Sequence, residues 1–322
     1  MHLAACGTSR APDVVAADGV LCDLSQRLAG PDLQVLCLLQ PGDDPHQFHL
    51  TPRQSRDLKG ARLVLINGYG LTPALAKQTQ AIAVAERAVP NSPRLEAPAR
   101  HHAADGEHPG EASESHPEEA SSHGDRDPHV WHDPAQASAM VTLVAQTLEA
   151  LKPAARGRIA SRAAAMEAVL QRLDRWNRHQ FATITRPSPL ATGHHAFASL
   201  ARAYGLQELP VMESLGSSQS LRPQAFASVL AALKRERVTM LFAETLPASK
   251  PLQRISALSG VPIAAAPLVA DGLAKATSPQ PPGSSSLVGT LTANTCLIVE
   301  GLRGRCDQAG RRNLVALWTA IP

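Results

Sequence analysis

Apolar runs alternate with amphipathic stretches along most of the chain. Residues 33–39 and 62–68 hold mainly apolar runs that end near Pro or Gly, as in strands buried on both faces of a parallel sheet. Further strands are predicted at 14–16, 190–192, 209–212, 238–243 and 261–266. Helices are predicted at 20–29, 72–83, 196–204, 223–235, 247–259 and 288–302, with a further short one from Pro52. This alternation predicts an α/β fold with parallel sheets.

Two consecutive helices are predicted in the middle of the chain. Asp133 followed by Pro134 marks the start of the first, and the second runs from Pro153 to about residue 182. Apolar side chains recur every three to five positions along the second helix, so one face is buried. At about 1.5 Å per residue it would span about 45 Å, enough to run past two lobes. We therefore predict two parallel-sheet α/β lobes joined by one long linker helix. The first lobe would be 12–152, the helix 153–184 and the second lobe 185–322.

Composition agrees with a folded protein of two lobes. The chain has 322 residues, enough for two lobes of about 150 residues each. Hydrophobic residues make up 44% and aromatic residues only 3%, so aliphatic side chains must fill the cores. The formal charge is +3, and no basic run is interleaved with aromatics, which argues against nucleic-acid binding. No segment approaches the roughly 20 apolar residues of a membrane helix.

Histidine is concentrated in one acidic stretch rich in Gly, Ser and Pro. Residues 98–127 lack apolar periodicity, and we predict that they form a disordered loop. Five of the 13 histidines lie there: His101, His102, His108, His116 and His123.

Three further histidine motifs stand in distant segments. They are residues 44–49 (DPHQFH), 127–134 (DPHVWHDP) and 192–197 (TGHHAF). Imidazoles from three separate segments predict a metal site assembled by folding rather than a local finger. Because ligands of α/β proteins bind at the carboxyl ends of strands, we expect these motifs to meet, with Asp271, in a cleft between the lobes.

The order of these motifs resembles the zinc/manganese-binding solute-binding proteins of ABC transporters. The matching segments are 41–46 with 51–52, 67–71 (NGYGL), 127–134, 192–197, 242–244 (FAE) and 270–273 (ADGL). The resemblance covers residues 13–303, and its two Asp-Pro-His motifs are specific in combination. It implies two lobes bridged by a long helix, with the metal in the inter-lobe cleft.

The resemblance also implies the ligands. His46 and His129 would come from the first lobe, and His194 and Asp271 from the second. His195 stands where the family usually has aspartate, so His194 is the expected ligand of that pair. Manganese-binding members have glutamate in the position of His194, and three imidazoles with one carboxylate suit Zn²⁺ better than Mn²⁺.

Several other polar residues have two interpretations. Asp271 could instead cap a turn, and Glu244 is then the next carboxylate candidate; otherwise Glu244 is expected to orient an imidazole by a hydrogen bond. His49 and His132 replace residues that are not usually histidine in the family, and are expected at the surface or as auxiliary groups. Zinc-specific members often carry a His-rich loop, so the five histidines of 98–127 are expected to bind zinc weakly; the alternative is a plain acidic linker.

Five cysteines are available. Cys22 with Cys37 and Cys296 with Cys306 are expected disulfide pairs in an oxidising compartment, although Cys22 and Cys37 could simply be buried small residues. Residues 3–7 (LAACG) resemble a lipobox, in which Cys6 would carry lipid. Only five residues precede Cys6, so either the start is displaced or trimmed, or the match arises by chance.

These observations predict an extracytoplasmic protein that binds Zn²⁺ and delivers it to an ABC permease, without catalysis. We expect a monomer, held at the membrane surface if Cys6 is lipidated, and loss of metal below about pH 6 as imidazoles protonate. One alternative is a zinc hydrolase with three histidine ligands, a bound water, and Glu244 or Asp271 as base. The other is a zinc chaperone or adhesin without a transporter.

Overall fold

The computed structural model describes residues 11–95, 126–186, 188–212, 223–275, 283 and 285–321. Its first sheet is a parallel four-stranded sheet in the order β2-β1-β3-β4. The strands are β1 Val14–Ala16, β2 Val35–Cys37, β3 Leu63–Ile66 and β4 Ile82–Ala83, and the helices of this part are α1 Gly19–Ala29, α2 Pro52–Gly60, α3 Val84–Ala88 and α4 Pro134–Leu151. Within these residues, no helix is both long enough and apolar enough to cross a membrane.

Local capping explains where the helices of this part begin. The Asp18 side chain accepts a hydrogen bond from the Leu21 N–H and so caps α1. Thr51 and Gln54 form a reciprocal capping box at the start of α2. Asp133 caps α4, with Pro134 in its first turn as expected.

The long helix α5, Arg156–Phe181, has 26 residues and is preceded by a 3-10 turn at Pro153–Ala155. It packs mainly against α4 and also contacts the two C-terminal helices. Its apolar face is buried from Ile159 to Phe181, as the periodicity predicts. On the opposite side Arg158 is exposed, whereas Arg162 turns inward and donates to the carbonyl oxygens that end α1.

The second sheet begins with β5 Leu190–Thr192 and β6 Glu208–Pro210, which are parallel. Leu241 continues this sheet through isolated parallel bridges to Ala191 and Ile263. The helices that follow the first of these strands are α6 Ala198–Tyr204, α7 Pro223–Arg235, α8 Lys250–Ser259, α9 Leu287–Gly301 and α10 Gln308–Thr319. The result is an α/β protein with two parallel sheets and a long helix, as the sequence predicts.

Two local predictions are wrong. Residues 72–83 do not form a helix: a 3-10 turn at Pro73–Leu75 is followed by β4, which pairs with β3. The predicted strands 238–243 and 261–266 are reduced to single bridges at Leu241 and Ile263. In both cases pairing with a distant strand, rather than the local apolar pattern, decides how much of the segment is regular.

The C-terminal helices pack against the core of the first sheet. Trp318 of α10 is fully buried in the cluster that contains β1, α1 and α4, together with the first half of α9. The Trp318 indole N–H donates to Asp23 of α1 at 2.8 Å, and Arg27 donates to the Trp318 carbonyl oxygen. The lobe boundaries at 152 and 185 stay predictions, and the chain beyond 286 contributes to the first core.

Both expected disulfides are present. Cys22–Cys37 joins α1 to β2, with 5.5 Å between the Cα atoms. Cys296–Cys306 joins α9 to the segment before α10, with 5.1 Å between the Cα atoms. The two bonds therefore fasten elements on which the first core is built.

Candidate metal centre

Four loops bring polar side chains to one place. His46 lies between β2 and α2, and His129 lies just before the 3-10 turn Val130–His132 that leads into α4. His194 is the second residue after β5, and Asp271 lies between the bridge at Ile263 and α9. His46 and His194 thus follow the carboxyl ends of parallel strands, where α/β proteins bind their ligands.

The four side chains converge on a single point. One ligand atom from each of His46, His129, His194 and Asp271 lies within 4.8 Å of all the others. The Nε2 atoms of the three histidines are 3.1, 2.9 and 3.6 Å from Asp271 Oδ1, in that order. The centroids of the three rings lie 5.4 to 6.0 Å from one another, so the imidazoles surround the carboxylate from different sides.

These distances fit tetrahedral coordination. Zinc bonds of about 2.0–2.1 Å place neighbouring tetrahedral ligand atoms about 3.3 Å apart. The three measured separations from Asp271 Oδ1 bracket that value. Among the residues that the structure describes, none lies within hydrogen-bond distance of the buried His194 Nε2, so this atom presents an unused lone pair or proton to the centre. The residues present therefore suit a four-coordinate dication.

Carboxylates hold the far side of two imidazoles. Asp127 Oδ1 is 3.0 Å from His129 Nδ1, and its Oδ2 accepts hydrogen bonds from the N–H and hydroxyl of Ser199 at the start of α6. Glu244 Oε2 is 2.8 Å from His194 Nδ1, and its Oε1 accepts from the His194 N–H. Each acid fixes the tautomer and the orientation of its imidazole, as acids behind metal-binding histidines do.

The electrostatics of the metal-free centre favour protons on the imidazoles. Burial alone would lower the pKa of His129, but Asp127 and Asp271 outweigh it and raise the pKa to about 9. Burial would also lower the pKa of His194, but Asp271 and Glu244 outweigh it and raise the pKa to about 11. Burial would raise the pKa of Asp271, yet the surrounding imidazoles hold it far below its usual range. The carboxylates in and around the cluster therefore favour a positive charge at its centre.

Backbone contacts keep the loops in register. A Cβ on Gly193 would lie 2.7 Å from Glu244 Oε1, so any other residue here would push this carboxylate away from its position at the His194 loop. The Gly42 N–H donates to the Leu273 carbonyl oxygen at 2.9 Å, which joins the His46 loop to the Asp271 loop. Loops from both halves of the chain are thereby fastened to each other beside the candidate ligands.

The remaining candidates fall outside the ligand cluster. His195 Nδ1 lies 3.2 Å from Glu208, and His49 is exposed. The expected surface position of His132 is wrong: the residue is 1% exposed, and its Nε2 lies 2.9 Å from the Ala270 carbonyl oxygen. The other expectation, that His132 is an auxiliary group, stays a prediction. Burial lowers the pKa of His132 to about 4, so its ring is neutral at pH 7. Sequence reasoning missed this contact because its partner lies far along the chain.

Some predicted residues lie outside the described part of the chain. They are Cys6 and the five histidines His101, His102, His108, His116 and His123.

The sequence matches the profile of a known family over residues 14–301. The family is described as ZnuA, zinc-uptake complex component A, periplasmic. The chain belongs to this family. It is therefore an extracytoplasmic substrate-binding protein of an ABC transporter, which binds a metal ion and works with a permease and an ATPase, and it is not an enzyme. The hydrolase alternative is excluded by this membership.

Characterised relatives differ in the metal for which they are named. The manganese-binding lipoprotein PsaA of Streptococcus pneumoniae is 24% identical over 263 residues, 81% of each chain. The iron-binding lipoprotein MtsA of Streptococcus pyogenes serotype M1 is 24% identical over 290 residues, 90% of this chain and 88% of the relative. Both are named as substrate-binding lipoproteins of ABC transporters.

Solved structures share the fold. The periplasmic zinc-binding protein TroA of Treponema pallidum superposes with a TM-score of 0.71 at 24% identity, over 90% of this chain and 99% of the other. Fe(III)-bound YtgA of Chlamydia trachomatis gives a TM-score of 0.71 at 21% identity, over 92% and 99%. At this level of sequence identity the likeness establishes the two-lobed fold. Which metal the protein binds has to be argued from the chemistry of the site.

Proposed function

We propose that this protein captures Zn²⁺ outside the cytoplasm and delivers it to an ABC permease. The observation that supports this most strongly is the donor set, three imidazole nitrogens and one carboxylate oxygen converging within 4.8 Å. Zinc favours nitrogen donors in a tetrahedral arrangement, whereas Mn²⁺ prefers oxygen donors and higher coordination. The ligands in this proposal are His46, His129, His194 and Asp271.

His194, the third proposed ligand, is the residue that distinguishes zinc from the metals for which the relatives are named. An imidazole at His194 replaces the glutamate of the manganese-binding pattern, which exchanges an oxygen donor for a nitrogen donor. Iron is also accepted by imidazole, so ligand type alone favours zinc over manganese more strongly than over iron. The supply of metal in the compartment completes the selection.

The accessibility of the ligands supports a route for the ion. The His46 side chain is 37% exposed, whereas that of His129 is 2% exposed. The ion would therefore enter and leave on the His46 side, where the permease would receive it. Four protein ligands leave no coordination position open for a reactive water, which suits transport of the ion.

Residues 98–127 have a separate proposed role. Their histidines and carboxylates would form weak sites that raise the local concentration of zinc beside the tight site. Removing 100–125 and titrating with zinc should abolish the weak sites and leave the tight one; loss of the tight site would contradict this division.

The proposal also includes a monomer that is tethered to the membrane through lipid on Cys6. Intact-mass measurement on membrane-expressed protein tests the lipid, and sedimentation tests the monomer.

Titration calorimetry with alanine variants tests the function. Replacing any one of the four proposed ligands by alanine should weaken zinc binding by about 100-fold or more, because loss of a ligand should cost more than loss of a residue that only orients one. His179→Ala is the matched control, because His179 is an exposed histidine on α5. Wild-type protein should also bind zinc more tightly than Mn²⁺ in direct competition. Unchanged affinity in two of the ligand variants, or tighter binding of Mn²⁺, would contradict the proposal.

A further inference from the structure

His132 lies at the contact between the two halves of the molecule. It follows His129 by three residues, at the end of the 3-10 turn before α4. Its ring packs on Phe197, whose side chain belongs to the core of the second sheet, with 4.6 Å between the ring centroids. Its Nε2 reaches the carbonyl oxygen of Ala270, the residue before Asp271. One side chain thus joins the His129 segment to the Asp271 loop.

The direction of this hydrogen bond is fixed. A carbonyl oxygen only accepts, so His132 Nε2 must carry the proton and donate it. The other nitrogen, Nδ1, is then an acceptor; it is buried and meets no hydrogen-bond partner in the part of the chain that the structure describes. A buried acceptor without a partner reduces stability; an apolar residue would remove that cost but would leave the buried Ala270 carbonyl oxygen without this donor. The contribution of histidine is its Nε2–H, which donates a hydrogen bond to the Ala270 carbonyl oxygen.

Other anchors of the Asp271 loop come mainly from α9. Asn294 exchanges two hydrogen bonds with Val269, and the Thr290 hydroxyl accepts from the Ala274 N–H. These bonds fix the loop relative to α9, not relative to the His129 segment. Across that gap His132 supplies a second side-chain bond, beside the contact of His129 Nε2 with Asp271 Oδ1, and it acts on the residue adjacent to the carboxylate.

We propose that His132 is a positioning residue that sets the spacing between His129 and Asp271 and so tightens metal binding. The proposal rests on the proposed function, because it concerns the same four ligands. His129 Nε2 and Asp271 Oδ1 are 2.9 Å apart, and a shift of the loop by a fraction of an ångström would open one corner of the tetrahedron. Residues that orient metal ligands from behind typically change affinity 10- to 100-fold when they are replaced.

Three variants separate the donor from the packing. His132→Gln places an amide N–H where Nε2 stands, His132→Asn carries the same group too short to reach Ala270, and His132→Leu removes all polarity. We would measure zinc affinity by competition with a chromophoric chelator, zinc release by stopped flow, and the Tm of each metal-free protein. His179→Gln on α5 is the control for loss of a histidine.

We expect zinc affinity to depend on whether the side chain at position 132 can donate a hydrogen bond to the Ala270 carbonyl oxygen. The Gln variant should bind zinc within about threefold of wild type, whereas the Asn and Leu variants should bind it about 10- to 100-fold more weakly, with faster release. The metal-free Leu variant exchanges one unpaired buried acceptor, His132 Nδ1, for another, the Ala270 carbonyl oxygen, so its Tm should stay close to that of wild type. If the Leu variant does not fold, the comparison of Gln with Asn decides the question alone.

Two results would overturn the proposal. Equal zinc affinity of the Asn, Leu and wild-type proteins would show that the bond does not position the ligands. Equal weakening in all three variants, accompanied by a lower Tm of the metal-free proteins, would show a purely structural role. Failure of the wild-type and His179→Gln proteins to bind zinc would instead defeat the proposed function, and so is distinguishable from failure of this inference.

Discussion

Zinc binding should release protons at neutral pH. In the metal-free protein the pKa of His129 is raised to about 9 and that of His194 to about 11, mainly by the acids Asp127, Asp271 and Glu244 against the effect of burial. Both imidazoles are therefore protonated at pH 7, and zinc coordinates only the neutral form. We expect one to two protons to leave for each ion bound.

The slope of affinity against pH follows from this count. Each displaced proton changes the apparent association constant about tenfold per pH unit, so the constant should rise about 10- to 100-fold per unit from pH 7 toward 9. Unperturbed imidazoles, with a pKa of about 6.5, would give an almost flat dependence above pH 7.5. Release of metal should therefore begin above the pH of about 6 that the sequence alone indicates.

Calorimetry in buffers of different ionisation enthalpy measures the number of protons directly. Chelator competition between pH 6.5 and 8.5 measures the slope independently. Glu244→Gln is the matched variant, because it removes one of the two acids that raise the pKa of His194 and should lower the proton count. Release of fewer than about half a proton at pH 7.5 in the wild type would refute the reasoning.

Three further changes have defined outcomes. Gly193→Ala would place a Cβ 2.7 Å from Glu244 Oε1, so zinc affinity measured by competition should fall about 10- to 100-fold; an unchanged Kd would contradict the role of Glu244. Trp318→Ala should lower the free energy of unfolding by about 3–5 kcal/mol in urea titrations while zinc affinity is kept, because Trp318 is buried in the first core, where its indole N–H pairs with Asp23 rather than with a candidate ligand; an unchanged free energy of unfolding would refute this packing. Replacing Cys22 and Cys37 together by serine should cost about 3 kcal/mol, since their bond closes a loop of 15 residues, again with an unchanged Kd; loss of zinc binding in the folded variant would contradict it.

The sequence indicated the candidate ligands because each stands in a motif that can be recognised locally. It also predicted α5, since a helical period over 26 residues leaves little alternative. It did not predict β4, because the apolar pattern of 72–83 resembles a helix face until β3 offers a strand partner. The roles of His132 and Trp318 depend on partners 138 and 295 residues away, and no local pattern names such a partner.

Zinc-edge anomalous diffraction from crystals of zinc-loaded protein tests the central claim most directly. We predict one strong peak bonded to Nε2 of His46, His129 and His194 and to a carboxylate oxygen of Asp271, with bond lengths of about 2.0–2.2 Å. A strong peak held by other side chains, or by fewer than three of these four, would contradict the account.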